Sequence, residues 1–153
     1  MALRFVPLDY VSDKCELVRR DLMGELEVLL PLADFQHVGS TAVPRGWTSG
    51  EVDVQVRVLA SELAEAEQAL AARFTRDEVL GKAAGFAGFI DENRGARVQL
   101  CELGGAGDLG GRRRQMLMEN PLLRDRYDSI KRRHQGGDAK AYHAEKAAFW
   151  KGA

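Results

Sequence analysis

His37-Val38-Gly39-Ser40-Thr41-Ala42-Val43-Pro44 is followed, after a short linker, by Asp53-Val54-Gln55-Val56. The first run reads as an extended segment that breaks at glycine into a hydroxyl-rich turn. The second reads as a strand with an acid on one face. A Gly-Ser-Thr turn offers backbone N–H groups and two hydroxyls to an anion, and a carboxylate on the next strand can hold a divalent ion against the same phosphates. Gln55, two residues beyond Asp53 and so on the same face, stands where a second carboxylate would complete a metal pair.

From Glu51 to Val58 the alternation is strict. Val52, Val54, Val56 and Val58 share one face, and Glu51, Asp53, Gln55 and Arg57 share the other. The valine face is expected to pack and the polar face to carry chemistry or meet water. Phe35 to Val38 reads as a short strand leading into the turn, and Arg97 to Leu103 as a further strand. Val79 to Ile90 reads as strand and loop interrupted by Gly81, Gly85 and Gly88. Arg4-Phe5-Val6 is an extended lead-in that ends at Pro7.

Helical spacing of Leu17, Leu22, Leu26, Leu29 and Leu30 predicts a helix from Ser12, its expected N-cap, to Leu30, where Pro31 ends it. Ser61 to Phe74 reads as a second helix capped by Ser61, with Leu63, Ala66 and Leu70 inward. Arg112 to Glu119, Pro121 to His134 and Ala139 to Trp150 read as three more, with Pro121 at a helix start and Gln135-Gly136-Gly137-Asp138 as a turn. Interleaved helices and strands indicate an α/β or α+β layer fold. Gly105-x-Gly107-x-x-Gly110 formally matches a dinucleotide fingerprint, but residues 112–150 read as helices where the fingerprint needs another parallel strand with an acid. Gly104 to Gly111 is therefore expected to be a mobile loop, in the position of a lid.

Gln36 through Pro44 and Val52 through Val56 resemble, in register and spacing, the signature of the GrpB family. That signature is a His-Ile/Val-Gly-Ser-Thr-Ala/Ser-Val-Pro-Gly turn followed by an Ile-Asp-Ile/Val-x-Val strand. The resemblance extends through Arg114, Pro121, Tyr127 and Lys131 to Tyr142-His143-Ala144-Glu145-Lys146-Ala147-Ala148-Phe149, and so covers essentially the whole chain. GrpB proteins belong to the nucleotidyltransferase-like superfamily and are sometimes fused to dephospho-CoA kinase. The resemblance implies one domain over residues 1–153, built on a nucleotidyltransferase-like mixed sheet flanked by helices. It also implies a pocket for a nucleotide or other phosphate-bearing small molecule.

On that pattern Asp53 and Ser40 are the candidate catalytic residues. Gly39, Ser40, Thr41, His37, Arg114, Tyr127, Lys131, Tyr142 and Lys146 are the candidate phosphate or nucleotide ligands, His37 being equally open to the role of a buried strand histidine hydrogen-bonded to backbone. In nucleotidyl transfer, paired strand carboxylates hold two metal ions that activate the attacking hydroxyl and stabilise the leaving pyrophosphate. Asp53 with Gln55, or Glu51 with Asp53, are the two ways this strand offers to hold Mg²⁺, and both leave the site short of charge. Gln99 and Glu102 compete for a third position, and alternation lets only one of them face it. Three departures from the family pattern fall around the site: Arg45 in place of glycine, Ser49-Gly50 in place of Lys-Pro, and Val98-Gln99-Leu100 in place of Leu-His-Val. Two functions are therefore expected to compete, a metal-dependent nucleotidyltransferase and a non-catalytic nucleotide- or coenzyme-binding module with a degraded metal site.

Composition narrows the partners. With 153 residues, 45% hydrophobic and 29% charged, the chain has the make-up of a soluble globular protein. A formal net charge of −1 supplies no global attraction to nucleic acid or anionic membrane. Acids interleave with Arg112-Arg113-Arg114 and with Lys131-Arg132-Arg133, so a solvated face is the reading for most of those cations. Cys15 and Cys101 are far apart, no apolar run approaches the ~20 residues of a membrane helix, and the N-terminus has no secretion-signal pattern. A reduced cytoplasmic protein is expected. His134 and His143 show no zinc-ligand spacing with either cysteine.

Overall fold

In the computed structural model, which describes residues 2–79 and 82–153, the chain begins with β1 (Val6–Pro7), α1 (Ser12–Leu29), β2 (Asp34–Val38), β3 (Trp47–Thr48) and β4 (Val52–Val58). It continues through α2 (Leu63–Arg73), β5 (Thr75–Arg76), β6 (Lys82–Ala83), β7 (Phe86–Asp91) and β8 (Ala96–Glu102), and ends with α3 (Gly110–Glu119), α4 (Pro121–Arg133) and α5 (Ala139–Gly152). Leu80 and Gly81, within the expected strand-and-loop segment from Val79, lie outside the described residues.

The sheet has strand order β2-β4-β8-β7-β5, with β6 also paired to β7. It is mixed: β4 and β8 run parallel, and the other pairs are antiparallel. The strands read at Phe35 to Val38, Glu51 to Val58 and Arg97 to Leu103 are β2, β4 and β8, side by side in the sheet. Val52, Val54, Val56 and Val58 are all buried, packed with Leu22 and Leu26 of α1 and Ala66 and Leu70 of α2. Each such side chain contributes about 1.5–3 kcal/mol by leaving water, so this face fixes which way β4 lies. Asp53, Gln55 and Arg57 are thereby turned to the opposite side, where α3 packs on β2.

The helix ends differ from expectation at two places. Ser12 and Ser61 cap nothing: Ser12 is the first residue of α1 behind Val11, and Ser61 sits inside a 3₁₀ turn, Ala60–Glu62, that leads into α2. Leu17 is exposed, because five residues before Leu22 it falls off the stripe that Cys15, Leu22 and Leu26 define. Side-chain caps do occur at α4, where the Leu123 N–H donates to Asn120 Oδ1 at 3.1 Å, and at α5, where the Ala141 N–H donates to Asp138 Oδ2 at 3.1 Å.

The segment expected as a mobile loop is tied down instead. Asp108 accepts from Arg57 Nε and Nη2 at 2.9–3.1 Å and from the Gly104 N–H at 2.9 Å. Gly110 and Gly111 form the first turn of α3, pressed against β2 so closely that a β-carbon on Gly110 would lie 2.8 Å from Val38 Cγ1. Two glycines in a row let the helix approach the strand. They mark packing, not a hinge.

Candidate functional site

Strand β2 ends at Val38, and Gly39 takes the left-handed backbone angle (φ 77°) that swings the chain into a 3₁₀ turn over Ser40–Ala42. The Ser40 hydroxyl is fixed by a 2.7 Å hydrogen bond with Thr48 Oγ1, which also accepts from the Gly50 N–H at 3.0 Å. Arg114 Nε donates to the Ala42 carbonyl at 3.1 Å, so the helix that follows the loop also grips the turn.

Beneath the turn lies a cavity of about 460 Å³, within the ordinary range for small-molecule sites. Its floor is the polar face of the sheet, with Glu51 and Asp53 at one strand and Arg97 and Gln99 at the next. Gly39, Ser40 and Ser49 form one rim. Arg113 and Arg114 come from α3, Tyr127 from α4, and Tyr142, His143, Lys146 and Trp150 from α5. Most of the residues expected to converge do so: Ser40, Asp53, Arg114, Tyr127, Tyr142 and Lys146 share this cavity.

Four expected ligands are elsewhere. His37 faces the valine side of β2, where its Nε2 hydrogen-bonds Thr41 Oγ1 at 2.9 Å, and neither residue lines the cavity. Burial, with Arg19 and Arg114 nearby, pushes the His37 imidazole down to about 4, so it is neutral at pH 7. Lys131 is buried and donates to the Trp47 carbonyl at 2.6 Å, with Asp128 at 3.7 Å and the Tyr127 ring 4.1 Å below its ammonium. It fastens α4 to β3. Burial lowers its pKa to about 8, against the pull of Asp128. Gln55 is almost wholly enclosed, outside the cavity lining, and neither its Nε2 nor its Oε1 makes a well-formed hydrogen bond among the described residues. Gln99, not Glu102, faces the cavity, as strand alternation requires.

The cavity's charges are unevenly matched. Asp53 is pushed up to about 7, by burial first and then by Glu51, against Lys146, Arg97 and a hydrogen bond with Gln99. Burial also raises Glu51, although Arg97 Nε lies 2.9 Å from its Oε1. Arg113 lies with its guanidinium carbon 5.0 Å from the Trp150 ring centre. Two acids thus face four strong cations.

Arg97, Arg113 and Trp150 were not among the expected site residues. Arg97 is two positions before Gln99 and shares its face, while Trp150 is four residues after Lys146 and eight after Tyr142, on the same side of a helix. Both were readable from spacing. Arg113 required knowing how α3 docks.

A two-ion centre needs more acid than this. Among the described residues no three His, Cys, Asp or Glu side chains are grouped to hold a metal. Glu51 is engaged by Arg97, and Gln55 and Gln99 bring no charge. The donor set does not fit the paired-metal arrangement that nucleotidyl transfer uses.

A family model described as GrpB protein matches residues 12–153. The chain belongs to the GrpB family. A UPF0157 protein of Vibrio cholerae serotype O1 is 26% identical over 149 residues, covering 96% of this chain and 79% of that protein. The crystal structure of a GrpB protein from Enterococcus faecalis superposes with a TM-score of 0.67 at 19% identity, over 90% of this chain and 88% of the other. A MgGTP-bound structure of the Cid1 poly(U) polymerase gives 0.54 at 14% identity, over 80% of this chain but 40% of the polymerase. These likenesses establish the fold of this GrpB chain as nucleotidyltransferase-like.

Proposed function

We propose that this GrpB protein binds a phosphate-bearing small molecule, a nucleotide or coenzyme fragment, in the cavity beneath the Gly39 turn, and that it does so as a binding module and not as an efficient transferase. The observation that carries this reading is the convergence of Arg97, Arg113, Arg114 and Lys146 on one cavity beside the Ser40 turn. Guanidinium groups match phosphate oxygens in a bidentate fashion, and ammonium adds a point charge. Trp150 and Tyr127 give the same cavity an aromatic wall for a base or other planar group.

Transfer is weak or absent on this reading. The acids that would hold catalytic Mg²⁺ are Asp53 and a Glu51 already paired with Arg97, so Mg²⁺ makes at most a modest contribution to binding. Asp53 and Ser40 then position ligand: the carboxylate accepts from ligand hydroxyls and the serine donates to a phosphate oxygen.

Thermal-shift titration with ATP, AMP, pyrophosphate and coenzyme A precursors, with and without Mg²⁺, tests this. A ligand at one hundred times its Kd raises stability by about 2.7 kcal/mol. At least one of these compounds is expected to stabilise the wild type, and to do so less in Lys146→Ala. No shift with any of them, or one unchanged in Lys146→Ala, would overturn the reading.

A further inference from the structure

Arg97 holds a singular place in the cavity. In the parallel pairing of β4 with β8 it stands directly beside Asp53. Its Nε lies 2.9 Å from Glu51 Oε1 and 3.5 Å from Asp77 Oδ2, and 23% of the side chain stays accessible. One guanidinium is therefore set among three carboxylates, against the two cavity acids, Glu51 and Asp53, that would have to hold a divalent ion. Its backbone is locked in mid-sheet, so it cannot be moved aside by a local loop rearrangement.

A guanidinium and a metal ion cannot share that spot. Each is attracted to Glu51 and Asp53, and each repels the other at short range in surroundings of low dielectric. Lys146 adds a second positive charge from α5 against the same carboxylates. The acids that a metal would need are already compensated. What lines the rest of the cavity without an ion pair among the described residues is cationic: Arg113 and Arg114, across from the accessible edge of Arg97.

We propose that Arg97 takes the electrostatic place of a divalent ion in this cavity, so that a phosphate or pyrophosphate group is held there by side-chain cations without metal. The ligand half rests on the phosphate-site reading above, whereas the exclusion of the metal rests on Arg97 and its carboxylates alone. Arg97 is thus a specificity-determining residue: it selects the bare anion over the metal chelate.

Calorimetry with Mn²⁺ alone tests the metal half. The wild type is expected to show no binding tighter than millimolar. Arg97→Gln is expected to bind Mn²⁺ at least ten-fold more tightly, and Asp53→Asn in that background to remove the gain. Arg97→Lys, which keeps the charge, is expected to behave as the wild type. Should Arg97→Gln fail to fold by circular dichroism, Lys146→Gln removes the other cation beside Asp53 and is expected to shift Mn²⁺ binding in the same direction. Tight Mn²⁺ binding by the wild type that Asp53→Asn abolishes, or equal binding by wild type and the charge-removing variant, would overturn the proposal. Pyrophosphate titration in EDTA and in Mg²⁺ tests the ligand half. Binding at least as tight in EDTA as in Mg²⁺ is expected, and a requirement for Mg²⁺ would overturn it. Failure of pyrophosphate and of every compound in the thermal-shift series to bind in either buffer, alongside the Mn²⁺ gain, would remove the phosphate-site reading and leave the metal-excluding role of Arg97 standing.

Discussion

Gly39 lies so close to Asp53 that no side chain fits between them: a β-carbon on Gly39 would overlap Asp53 Oδ2 and stand 3.0 Å from its Cγ. The turn and the acid are thus one unit, the glycine admitting both the left-handed backbone (φ 77°) and the carboxylate. Gly39→Ala is expected to cost about 1–3 kcal/mol from backbone strain alone, plus the displacement of Asp53. A double-mutant cycle separates the two parts: Asp53→Ala should relieve the overlap with the carboxylate in Gly39→Ala, leaving a tight 3.1 Å contact with the β-carbon at position 53, but not the backbone cost. Strictly additive losses in thermal unfolding would show that the two residues are not in contact.

Arg45 presents the opposite case, a non-glycine residue at φ 65°. This is the position where the GrpB pattern has glycine, and the exposed side chain makes no hydrogen bond or ion pair among those described. A left-handed backbone costs an ordinary residue about 1–2 kcal/mol, part of which glycine returns through its greater unfolded-state entropy. Arg45→Gly is expected to stabilise the protein by about 0.5–1 kcal/mol, measured as a higher midpoint in urea at unchanged slope. A lower midpoint would mean that Arg45 makes an interaction its geometry does not reveal.

Asp53 and His37 pull the pH dependence of stability in opposite directions. The folded value of Asp53, about 7, lies above the ordinary 3.8, so its contribution is full below about pH 4 and is lost as pH rises through 7. The folded value of His37, about 4, lies below the ordinary 6.5, so its contribution is full above pH 6.5 and is lost as pH falls towards 4. Between those limits the two offset each other. Relative to wild type, Asp53→Asn should make the melting temperature rise more steeply from pH 4 to 6.5, and His37→Gln should make it fall from pH 4 to 7. Changes of the same sign in both variants would refute this.

The layout of the sheet was legible because one physical signal wrote it: valines at every second position of β4 must be covered, and covering them turns Asp53 the other way. Strand parity likewise separates Val38 from His37 and Gln99 from Glu102. What parity does not tell is which groups tertiary packing encloses. Lys131 shares a helix face with Tyr127, four residues earlier, yet the Trp47 carbonyl of β3 intervenes and takes its ammonium. Thr41 is one residue from Ser40 and points the other way, onto His37. Residues 104–111 look flexible by composition, and composition does not show that Asp108 meets Arg57, 51 residues earlier on β4, or that Gly110 packs on Val38.

Gln55 carries the last prediction. By sequence it occupies the place of a missing metal ligand, so that restoring the acid would restore the ion. In the fold it is enclosed between Gln36 of β2 and Gln99 of β8 in the pairing register, with a weak interaction to the Cys101 thiol and no exposure to the cavity. An aspartate there would be a carboxylate without a partner or a path to solvent, which burial drives towards its neutral form. Gln55→Asp is therefore expected to lose about 1–3 kcal/mol, more at pH 8 than at pH 5 because only the ionised form bears the full penalty. Mn²⁺ affinity should stay that of the wild type. Urea unfolding at the two pH values and calorimetry with Mn²⁺ check both halves. Tighter Mn²⁺ binding at undiminished stability would mean that Gln55 opens onto the cavity after all, and that the acid-poor floor is one substitution away from a metal site.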